Sequence, residues 1–522
     1  MELQSANFFN RRLQVFKDRP QTISKMLYLS VQKYPDKKAI ISNGQCITYL
    51  ELWRQSRQVA TYFVKKLGVK KGERISILLG NGIEFSLLFF ACAHIGAILV
   101  PLNTRLKEKE IHYMISQSRS KVIVTDEEFL PKAERLREVL VDHSQMHTIL
   151  VSSEPHKDYI PFNDLLMGDN EYDQTVVFES DPITLIYTSG TTGVPKGAIG
   201  SHLGFIHAAM NYRIRMKTDE KTRTLIAVPL FHVTGLIGQL LHVLSVGGTC
   251  VLMRRFKIEP FLELLKKEKI TFLFNVPTIY VKLLSEKKFS IDQYESVRTV
   301  AYGGAAMPYE VISKLQSHFP DANFHNTYGA TETSSPTSIM PLYYPHSKQK
   351  SVGLPILGAD IKLIDQDGRE CGVEEIGELY IKGSHVVEGY WNNVVGNRDS
   401  FKDGYWCSGD IARIDHDGFL YILDRKKDMI NRGGENIYSL EIENLLYDHP
   451  NVKEVAVVGI PDVTFGEIVK AVIVPKHSPL TEQEIKRFVN ERLADYKVPA
   501  QVEFVKELPR NLGGKLLKAQ LK

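Results

Sequence analysis

At 522 residues the chain is too long for one ordinary core, so we expect two or three domains. Apolar residues make up 43% and charged residues 24%, which is typical of a globular protein. The 65 basic and 61 acidic residues leave a net charge of +4, which gives no reason to expect nucleic acid as a partner. Five scattered cysteines without a C-x-x-C pair indicate reduced thiols in a cytoplasmic protein.

The sequence predicts neither a signal peptide nor a transmembrane helix. The N-terminus is charged and no long apolar segment follows it. The most apolar run, Phe85 to Leu102, contains His94 and Gly96 and falls short of the roughly 20 apolar residues that span a bilayer. We interpret it as a buried helix that leads into a strand. Peripheral membrane contact and homodimer formation stay open.

Strand and helix patterns alternate through the first two thirds of the chain. Residues 24–70 have a helical pattern with interruptions, in which Ala60, Phe63, Val64 and Leu67 mark one apolar face. Short β-branched runs follow, and helical patterns such as Tyr309 to His318 lie between them. The predicted strands are Ile75–Leu79, Val122–Thr125, Thr148–Val151, Thr224–Val228, Thr249–Met253, Thr271–Val276 and Thr299–Tyr302. This alternation predicts wound parallel sheets, whose ligand loops gather at the carboxyl ends of the strands.

The last third has a different pattern of predicted secondary-structure elements. From about residue 351 short strands and the turns Asp367-Gly368 and Asp417-Gly418 predict hairpins and a small β-rich subdomain. From about residue 428 the pattern is that of a small α+β unit, in which Thr481 to Glu484 is a capping box at the start of a helix.

The segment from Tyr187 to Gly197 carries the most specific chemistry. It follows an apolar run, and its glycines, hydroxyls and lysine suit a cradle for phosphate groups. The spacing is not that of a Walker loop, because glycine follows the lysine. The segment resembles the phosphate loop of adenylate-forming (AMP-binding) enzymes, the superfamily of acyl-CoA synthetases, firefly luciferase and peptide-synthetase adenylation domains. The resemblance assigns nucleotide binding to Thr188, Ser189, Gly190, Thr191, Thr192 and Lys196.

Further motifs match the same family in the expected order. The stretch Gly303-Gly304-Ala305 matches the family's adenine contact. The octapeptide from Asn326 to Thr333 resembles its second nucleotide motif, in which Glu332 and Thr188 correspond to magnesium positions. The nucleotide residues implied within this octapeptide are Asn326, Thr327, Tyr328, Gly329 and Thr331.

The resemblance also assigns roles toward the C-terminus and at the acyl pocket. Asp410 and Arg425 match the residues that meet the ribose, and Lys427 matches the hinge. The loop with Gly433, Gly434 and Glu435 corresponds to the one that lines the pantetheine tunnel. Lys515 matches the adenylation lysine, although Leu512-Gly513 and Lys518 depart from the commoner residues. His232 matches a gate at the acyl pocket.

The resemblance implies an α/β fold with a large N-terminal region of wound α/β subdomains, a small β-rich subdomain and a mobile C-terminal α+β domain. The implied division is residues 1–424 for AMP and acyl binding, 425–427 for the hinge, and 428–522 for the domain that carries Lys515. Lys515, Lys196, Glu332 and His232 are the expected catalytic residues.

The implied reaction joins a small-molecule carboxylic acid to coenzyme A. ATP, with Mg²⁺, first yields acyl-AMP and pyrophosphate, and the thiol of CoA then displaces AMP. The chain resembles the fatty-acid and 4-coumarate-CoA ligase branch, so we expect a medium- or long-chain fatty acid and a role in lipid metabolism. The alternatives are an aryl acid, a carrier protein as acceptor, or a nucleotide-binding scaffold without catalysis.

Overall fold

The computed structural model describes residues 1–139, 146–169, 171, 175–188, 194–289, 294–305, 307–476, 480–510 and 516–522. The chain begins with a β-hairpin, β1 (Leu3–Phe8) and β2 (Arg11–Phe16), whose turn residues Phe9 and Asn10 both have positive φ. Two large sheets follow, and two smaller sheets complete the fold.

The first large sheet has the strand order β11-β10-β6-β5-β7-β8-β9. Its strands are β5 (Arg74–Leu78), β6 (Ile98–Pro101), β7 (Val122–Asp126), β8 (His147–Val151), β9 (Ile160–Pro161), β10 (Pro182–Thr188) and β11 (Lys196–Ser201). All neighbours are parallel except β10 and β11, which pair antiparallel on either side of the predicted phosphate loop.

The second large sheet has the order β18-β17-β16-β15-β14-β12-β13-β3-β4, with a parallel centre and antiparallel edges. Its strands are β3 (Lys38–Ser42), β4 (Gln45–Thr48), β12 (Arg223–Ile226), β13 (Thr249–Leu252), β14 (Phe272–Asn275), β15 (Thr299–Gly303), β16 (Asn323–Tyr328), β17 (Ser338–Ile339) and β18 (Leu354–Pro355).

Helices cover both faces of these sheets. They are α1 (Ile23–Lys33), α2 (Tyr49–Lys65), α3 (Ile83–Ile95), α4 (Glu108–Ser118), α5 (Leu130–Val139), α6 (His202–Met216), α7 (Val233–Gly235), α8 (His242–Ser245), α9 (Ile258–Lys267), α10 (Pro277–Leu284) and α11 (Tyr309–His318). One core cluster joins side chains of α3 and α6 to the inner faces of both sheets. Separate clusters pack α4 and α5 on one outer face and α9, α10 and α11 on the other. The result is a five-layer α/β arrangement.

Helix α3 explains the most apolar run of the sequence. All its residues except Glu84 are buried, because it lies between the two sheets. Strand β6 follows directly, as predicted for Phe85 to Leu102. In the described part of the chain no helix is long and apolar enough to cross a membrane.

The two smaller sheets lie where the sequence predicts a β-rich subdomain and a small α+β unit. The first contains β19 (Ala359–Ile364), β20 (Ile376–Gly383), β21 (Phe401–Lys402), β22 (Tyr405–Ile414) and β23 (Leu420–Arg425), with α12 (Val394–Ser400) beside it. The second contains β24 (Ile430–Arg432), β25 (Glu435–Ile437), β26 (Val452–Asp462), β27 (Gly466–Pro475) and β28 (Gln501–Phe504), covered by α13 (Ser439–Tyr447) and α14 (Glu482–Asn490). The predicted capping box starts α14.

Three local predictions were wrong or incomplete. Residues 24–70 are not helical throughout, because β3 and β4 form a hairpin between α1 and α2, with Asn43 and Gly44 at positive φ in its turn. Asp417-Gly418 and Asp367-Gly368 both make the predicted tight turns, but after Asp367-Gly368 a single bridge between Ile364 and Glu370 forms and β20 begins only at Ile376, so that hairpin prediction is incomplete. Strand β16 runs to Tyr328, so three of the eight residues of the predicted second nucleotide motif, Asn326 to Thr333, are strand.

The fold class is confirmed: a large N-terminal part built on parallel sheets is followed by a smaller C-terminal α+β part. The finer division at residues 425–427 stays a prediction.

Candidate active site

Three strand ends converge at the candidate site. Thr188 ends β10 in one large sheet, while Gly303 and Tyr328 end the neighbouring strands β15 and β16 in the other. Gly303 is required by close packing, because a Cβ there would lie 2.4 Å from the carbonyl oxygen of Thr327. This is the edge at which wound α/β sheets bind ligands.

The predicted metal pair is brought together by these strand ends. The Thr188 hydroxyl donates to Glu332 Oε1 at 3.3 Å, although the two residues are 144 positions apart. Glu332 sits in a short 3₁₀ turn, Thr331–Thr333, and is only 8% exposed. Carboxylate and hydroxyl oxygens are ligands that Mg²⁺ accepts, and Mg²⁺ commonly keeps few protein ligands beside substrate phosphates. The pair therefore fits a magnesium position completed by a nucleotide.

A residue that sequence reasoning missed lies beside this pair. The Tyr390 hydroxyl donates to Glu332 Oε1 at 2.9 Å, and the Lys196 ammonium lies 5.1 Å from the centre of the Tyr390 ring. Burial, followed by the Glu332 charge, raises the pKa of the Tyr390 phenol, so the phenol is a neutral donor at pH 7. No motif signalled Tyr390, because its contacts depend on a distant loop folding back onto β11.

The predicted ribose residues form a second polar group. Tyr328 donates its hydroxyl to Asp410 Oδ2, and the Arg425 guanidinium lies 3.5 Å from Asp410 Oδ1. Burial and the Asp410 charge raise the pKa of Tyr328. The Tyr328 hydroxyl is therefore bound to Asp410, and the contact of Tyr328 with a nucleotide stays a prediction.

Two residues of the second nucleotide motif are committed to the backbone. The Asn326 amide donates to the Ser351 carbonyl at 3.1 Å, and the Thr327 hydroxyl donates to the Tyr302 carbonyl at 3.1 Å. The Thr327 side chain thereby joins β16 to β15, and the Asn326 side chain joins β16 to the segment that precedes β18. Nucleotide contacts of both residues stay a prediction. Gly304 and Ala305 are exposed after β15, where a flat ring has access to the backbone.

His232 immediately precedes α7 and a fully buried π-helical segment, Leu236–Leu241. Its ring packs on Phe231 with 4.7 Å between ring centroids. Burial, and secondarily the Arg105 charge, lowers the pKa of His232 to about 4. The imidazole is therefore neutral near pH 7.

The predicted pantetheine loop is a tight hairpin turn. Gly433 and Gly434 connect β24 and β25 with φ of 61° and 95°, a combination that side chains rarely adopt and that suits a two-residue hairpin. The Gly433 amide donates to the Phe465 carbonyl at 2.8 Å, which ties the turn to the β26–β27 connection. Glu435 follows the turn and is exposed.

A buried network flanks the predicted hinge. The carboxylate of Asp424, at the end of β23, accepts the backbone N–H of Ser439 at the start of α13. Lys518 donates to Ser439 Oγ at 2.6 Å and pairs with Glu443 Oε1 at 2.7 Å. Burial raises the pKa of Glu443, which Lys518 opposes. Lys427 is exposed in the turn between β23, which carries Asp424, and β24.

Some predicted residues lie outside the described part of the chain. These are Ser189, Gly190, Thr191 and Thr192 of the phosphate loop, and Lys515. The flanking residues are described: Thr188 and Lys196 border the first gap and Leu516 follows the second.

Comparison with known proteins decides the family. A family model described as AMP-binding enzyme matches residues 27–391, and one described as AMP-binding enzyme C-terminal domain matches residues 441–515. The chain belongs to the AMP-binding enzyme family. The predicted membership of the adenylate-forming superfamily is thereby confirmed.

Curated relatives align along most of the chain. A 2-succinylbenzoate–CoA ligase of Bacillus licheniformis is 34% identical over 492 residues, covering 93% of this chain and 97% of the relative. A feruloyl-CoA synthase of Amycolatopsis is 33% identical over 489 residues, covering 94% and 96%. A long-chain-fatty-acid–CoA ligase of Bacillus subtilis is 30% identical over 538 residues, covering 96% and 94%. The predicted enzyme class, an AMP-forming acid–thiol ligase, is confirmed.

Solved structures support the same conclusion. An anthranilate CoA ligase in complex with anthranoyl-AMP has a TM-score of 0.90 at 28% identity and covers 97% of both chains. The o-succinylbenzoate CoA synthetase of Bacillus subtilis, in complex with ATP and a magnesium ion, has a TM-score of 0.82 at 32% identity, covering 95% of this chain and 98% of that one. The predicted use of ATP, Mg²⁺ and coenzyme A is confirmed by these relatives.

Proposed function

We propose that the enzyme activates an aromatic carboxylic acid and transfers it to coenzyme A. The observation that carries this proposal is the chemistry of its relatives: 2-succinylbenzoate and ferulate are aryl acids, and their ligases align over at least 93% of the chain at 33–34% identity. The anthranilate ligase, also named for an aryl acid, has a TM-score of 0.90. The sequence predicts a fatty acid, with an aryl acid as the alternative, and these relatives favour the aryl acid.

Packing behind His232 supports a compact acyl group. The π-helical segment Leu236–Leu241 is buried throughout, and a Cβ on Gly238 would lie only 2.7 Å from the Phe274 ring. A long alkyl chain entering past His232 must displace tightly packed side chains, whereas a single ring needs less depth. A fatty acid is the second candidate, since a long-chain ligase is 30% identical over 96% of this chain.

The first half-reaction joins two anions, so the site must supply positive charge. At about 4 Å two unit charges repel by roughly 4 kcal/mol at an effective dielectric constant of 20. Magnesium held by Glu332 and Thr188 would neutralise charge on the phosphates. In our proposal Lys196 binds the departing pyrophosphate, and Lys515 lies beside the carboxylate and the α-phosphate. A carboxylate oxygen bonds to the α-phosphorus of ATP. The bond between that phosphorus and the oxygen that bridges to the β-phosphorus breaks, and pyrophosphate leaves.

The second half-reaction needs a different arrangement. The CoA sulfur attacks the acyl carbon, the bond to AMP breaks, and the thiol proton leaves to solvent. In our proposal residues 1–424 hold the adenylate, residues 428–522 move about Lys427, and the Gly433-Gly434 turn replaces Lys515 beside the site. Separate hydrophobic clusters in the C-terminal part support this division. Homodimer formation, peripheral membrane contact and a cytoplasmic location stay predictions.

A panel of acids tests the proposal. Purified enzyme is given ATP, Mg²⁺ and CoA with benzoates, cinnamates, 2-succinylbenzoate and straight-chain acids from acetate to palmitate. AMP is quantified and the thioester is identified by mass spectrometry, with Lys515→Ala as the inactive control. We expect the best aryl acid to exceed every alkyl acid in kcat/KM by more than about 200-fold, the upper end of what a single methylene contributes in a hydrophobic pocket. A fatty acid with the highest kcat/KM would refute the aryl assignment and leave the ligase assignment intact.

A further inference from the structure

Tyr390 lies between two opposite charges that the reaction needs separately. Its hydroxyl donates to Glu332 Oε1 at 2.9 Å, and its ring face holds the Lys196 ammonium 5.1 Å from the ring centre. Tyr390 is 5% exposed and Glu332 is 8% exposed, so water screens these contacts poorly. Over the part of the chain that the structure describes, neither Lys196 nor Glu332 takes part in an ion pair.

The backbone around Tyr390 is fixed on every side. Its N–H donates to Asn397 Oδ1 at 2.6 Å, and its carbonyl accepts from Asn397 Nδ2 at 3.0 Å. The neighbouring Trp391 N–H donates to the Gly197 carbonyl at 2.8 Å, next to Lys196 in β11. On the other side the Val387 N–H donates to the Glu332 carbonyl at 2.9 Å. The tyrosine is therefore built rigidly onto both of the segments that it touches.

The chemistry of these contacts keeps both charges available. A direct Lys196–Glu332 pair would cancel both charges, and ATP with its metal would have to break it before using either residue. The neutral phenol instead binds the carboxylate without cancelling its charge, and the ring face attracts the ammonium without a proton acceptor. Both described donors, Thr188 and Tyr390, reach Oε1, and none reaches Oε2, which leaves that oxygen for a cation.

We propose that Tyr390 is a positioning residue that separates Lys196 from Glu332 and presents Glu332 Oε2 to the metal that accompanies ATP. This inference rests on the proposed roles of Lys196 and Glu332. It adds a residue that acts through both of them and does not itself need to touch substrate.

The test uses two substitutions at Tyr390 and a matched control. Tyr390→Phe keeps the ring under Lys196 and removes the donor to Glu332, whereas Tyr390→Leu removes both contacts. Tyr421→Phe is the control, because the Tyr421 hydroxyl also donates to a carboxylate, Asp415, at 3.0 Å, and its ring also lies against a cation, Arg413, at 4.4 Å. Binding of Mn²⁺ in the presence of ATP is measured by electron paramagnetic resonance, without any acid.

We expect the half-saturating Mn²⁺ concentration to rise about 10-fold in Tyr390→Phe, the size of one lost hydrogen bond to a charged group, and to stay unchanged in Tyr421→Phe. Tyr390→Leu should raise the KM for ATP more than Tyr390→Phe does, because losing the ring also frees Lys196 to pair with Glu332. The second half-reaction, started from preformed acyl-adenylate and CoA, uses neither metal nor pyrophosphate and should be unchanged in Tyr390→Phe.

Unchanged Mn²⁺ binding in Tyr390→Phe would overturn the proposal. Equal losses in both half-reactions, with a lowered melting temperature, would also overturn it, because they indicate a general structural role. If the wild-type enzyme forms no thioester with any acid, the proposed function fails, but Mn²⁺ binding still decides the role of Tyr390.

Discussion

Removing the Lys518 ammonium should destabilise the C-terminal part severely. Lys518 pairs with Glu443 at 2.7 Å, and their side chains are only 13% and 8% exposed. In Lys518→Met the Glu443 carboxylate stays buried without its cation, for which we expect a loss of about 3–5 kcal/mol. The exposed pair of Arg487 and Glu491 is a control, because Arg487→Met removes a contact of 3.9 Å at 76% and 54% exposure, which contributes little.

Hydrogen exchange of the amides in β26 and β27 measures this loss, since it reports the opening of one region without requiring two-state unfolding of the whole chain. In the wild-type chain the Val457 N–H donates to Glu443 Oε1 at 2.7 Å. Glu443→Gln in the Lys518→Met background should restore most of the stability, because glutamine is neutral and can still accept this hydrogen bond. Since Lys515 is three residues before Lys518, pyrophosphate release should slow more than thioester formation from preformed adenylate. Exchange rates in Lys518→Met equal to those of Arg487→Met, or no rescue by Glu443→Gln, would refute this reasoning.

Two further predictions concern packing and pH. Gly329→Ala would place a Cβ 1.4 Å from the Ser335 carbonyl oxygen. Calorimetry should therefore show a loss of roughly 1–3 kcal/mol in the free energy of unfolding, and titration should show weaker ATP binding. Gly168→Ala, whose Cβ would have nothing within 4 Å, should match wild type. Burial lowers the pKa of five histidines besides His232 to about 3 or 4, below the ordinary 6.5, so the unfolded chain binds more protons between these values. Stability should therefore be full above pH 6.5 and fall as the pH decreases, by up to about 1.4 kcal/mol per unit for each histidine. Equal resistance to urea at pH 5.5 and 7 would contradict this. The histidines are His94, His202, His207, His242 and His385.

The sequence predicted the parts of the fold that have local signals. Repeated β-branched runs predicted seven strands of the two large sheets to within about two residues, and the Thr481 capping box marked the start of α14. The β3–β4 hairpin was missed although Asn43-Gly44 is a strong turn signal, because the apolar periodicity on both sides of it was given more weight.

The site was predictable only where its residues lie in recognisable motifs. Thr188 and Glu332 were paired by family resemblance, and the structure brings their oxygens to 3.3 Å. Tyr390 could not be found in this way, because its contacts with Glu332 and Lys196 depend on where the loop after β20 returns to β11. Thr327 was assigned to the nucleotide by the same resemblance, and the structure shows that its hydroxyl donates to the Tyr302 carbonyl, a contact that the sequence motif does not reveal.

The N-terminal hairpin has a consequence for the order in which the enzyme is completed during synthesis. Arg11 donates to the carbonyl of Glu388 at 2.9 Å, which braces the loop that carries Tyr390, and these partners are 377 residues apart. At about 5–20 residues per second a ribosome needs roughly 20–75 s to make that interval. The hairpin of β1 and β2 is therefore made that long before the loop that Arg11 contacts. The site around Tyr390 cannot be completed until about three quarters of the chain has been synthesised.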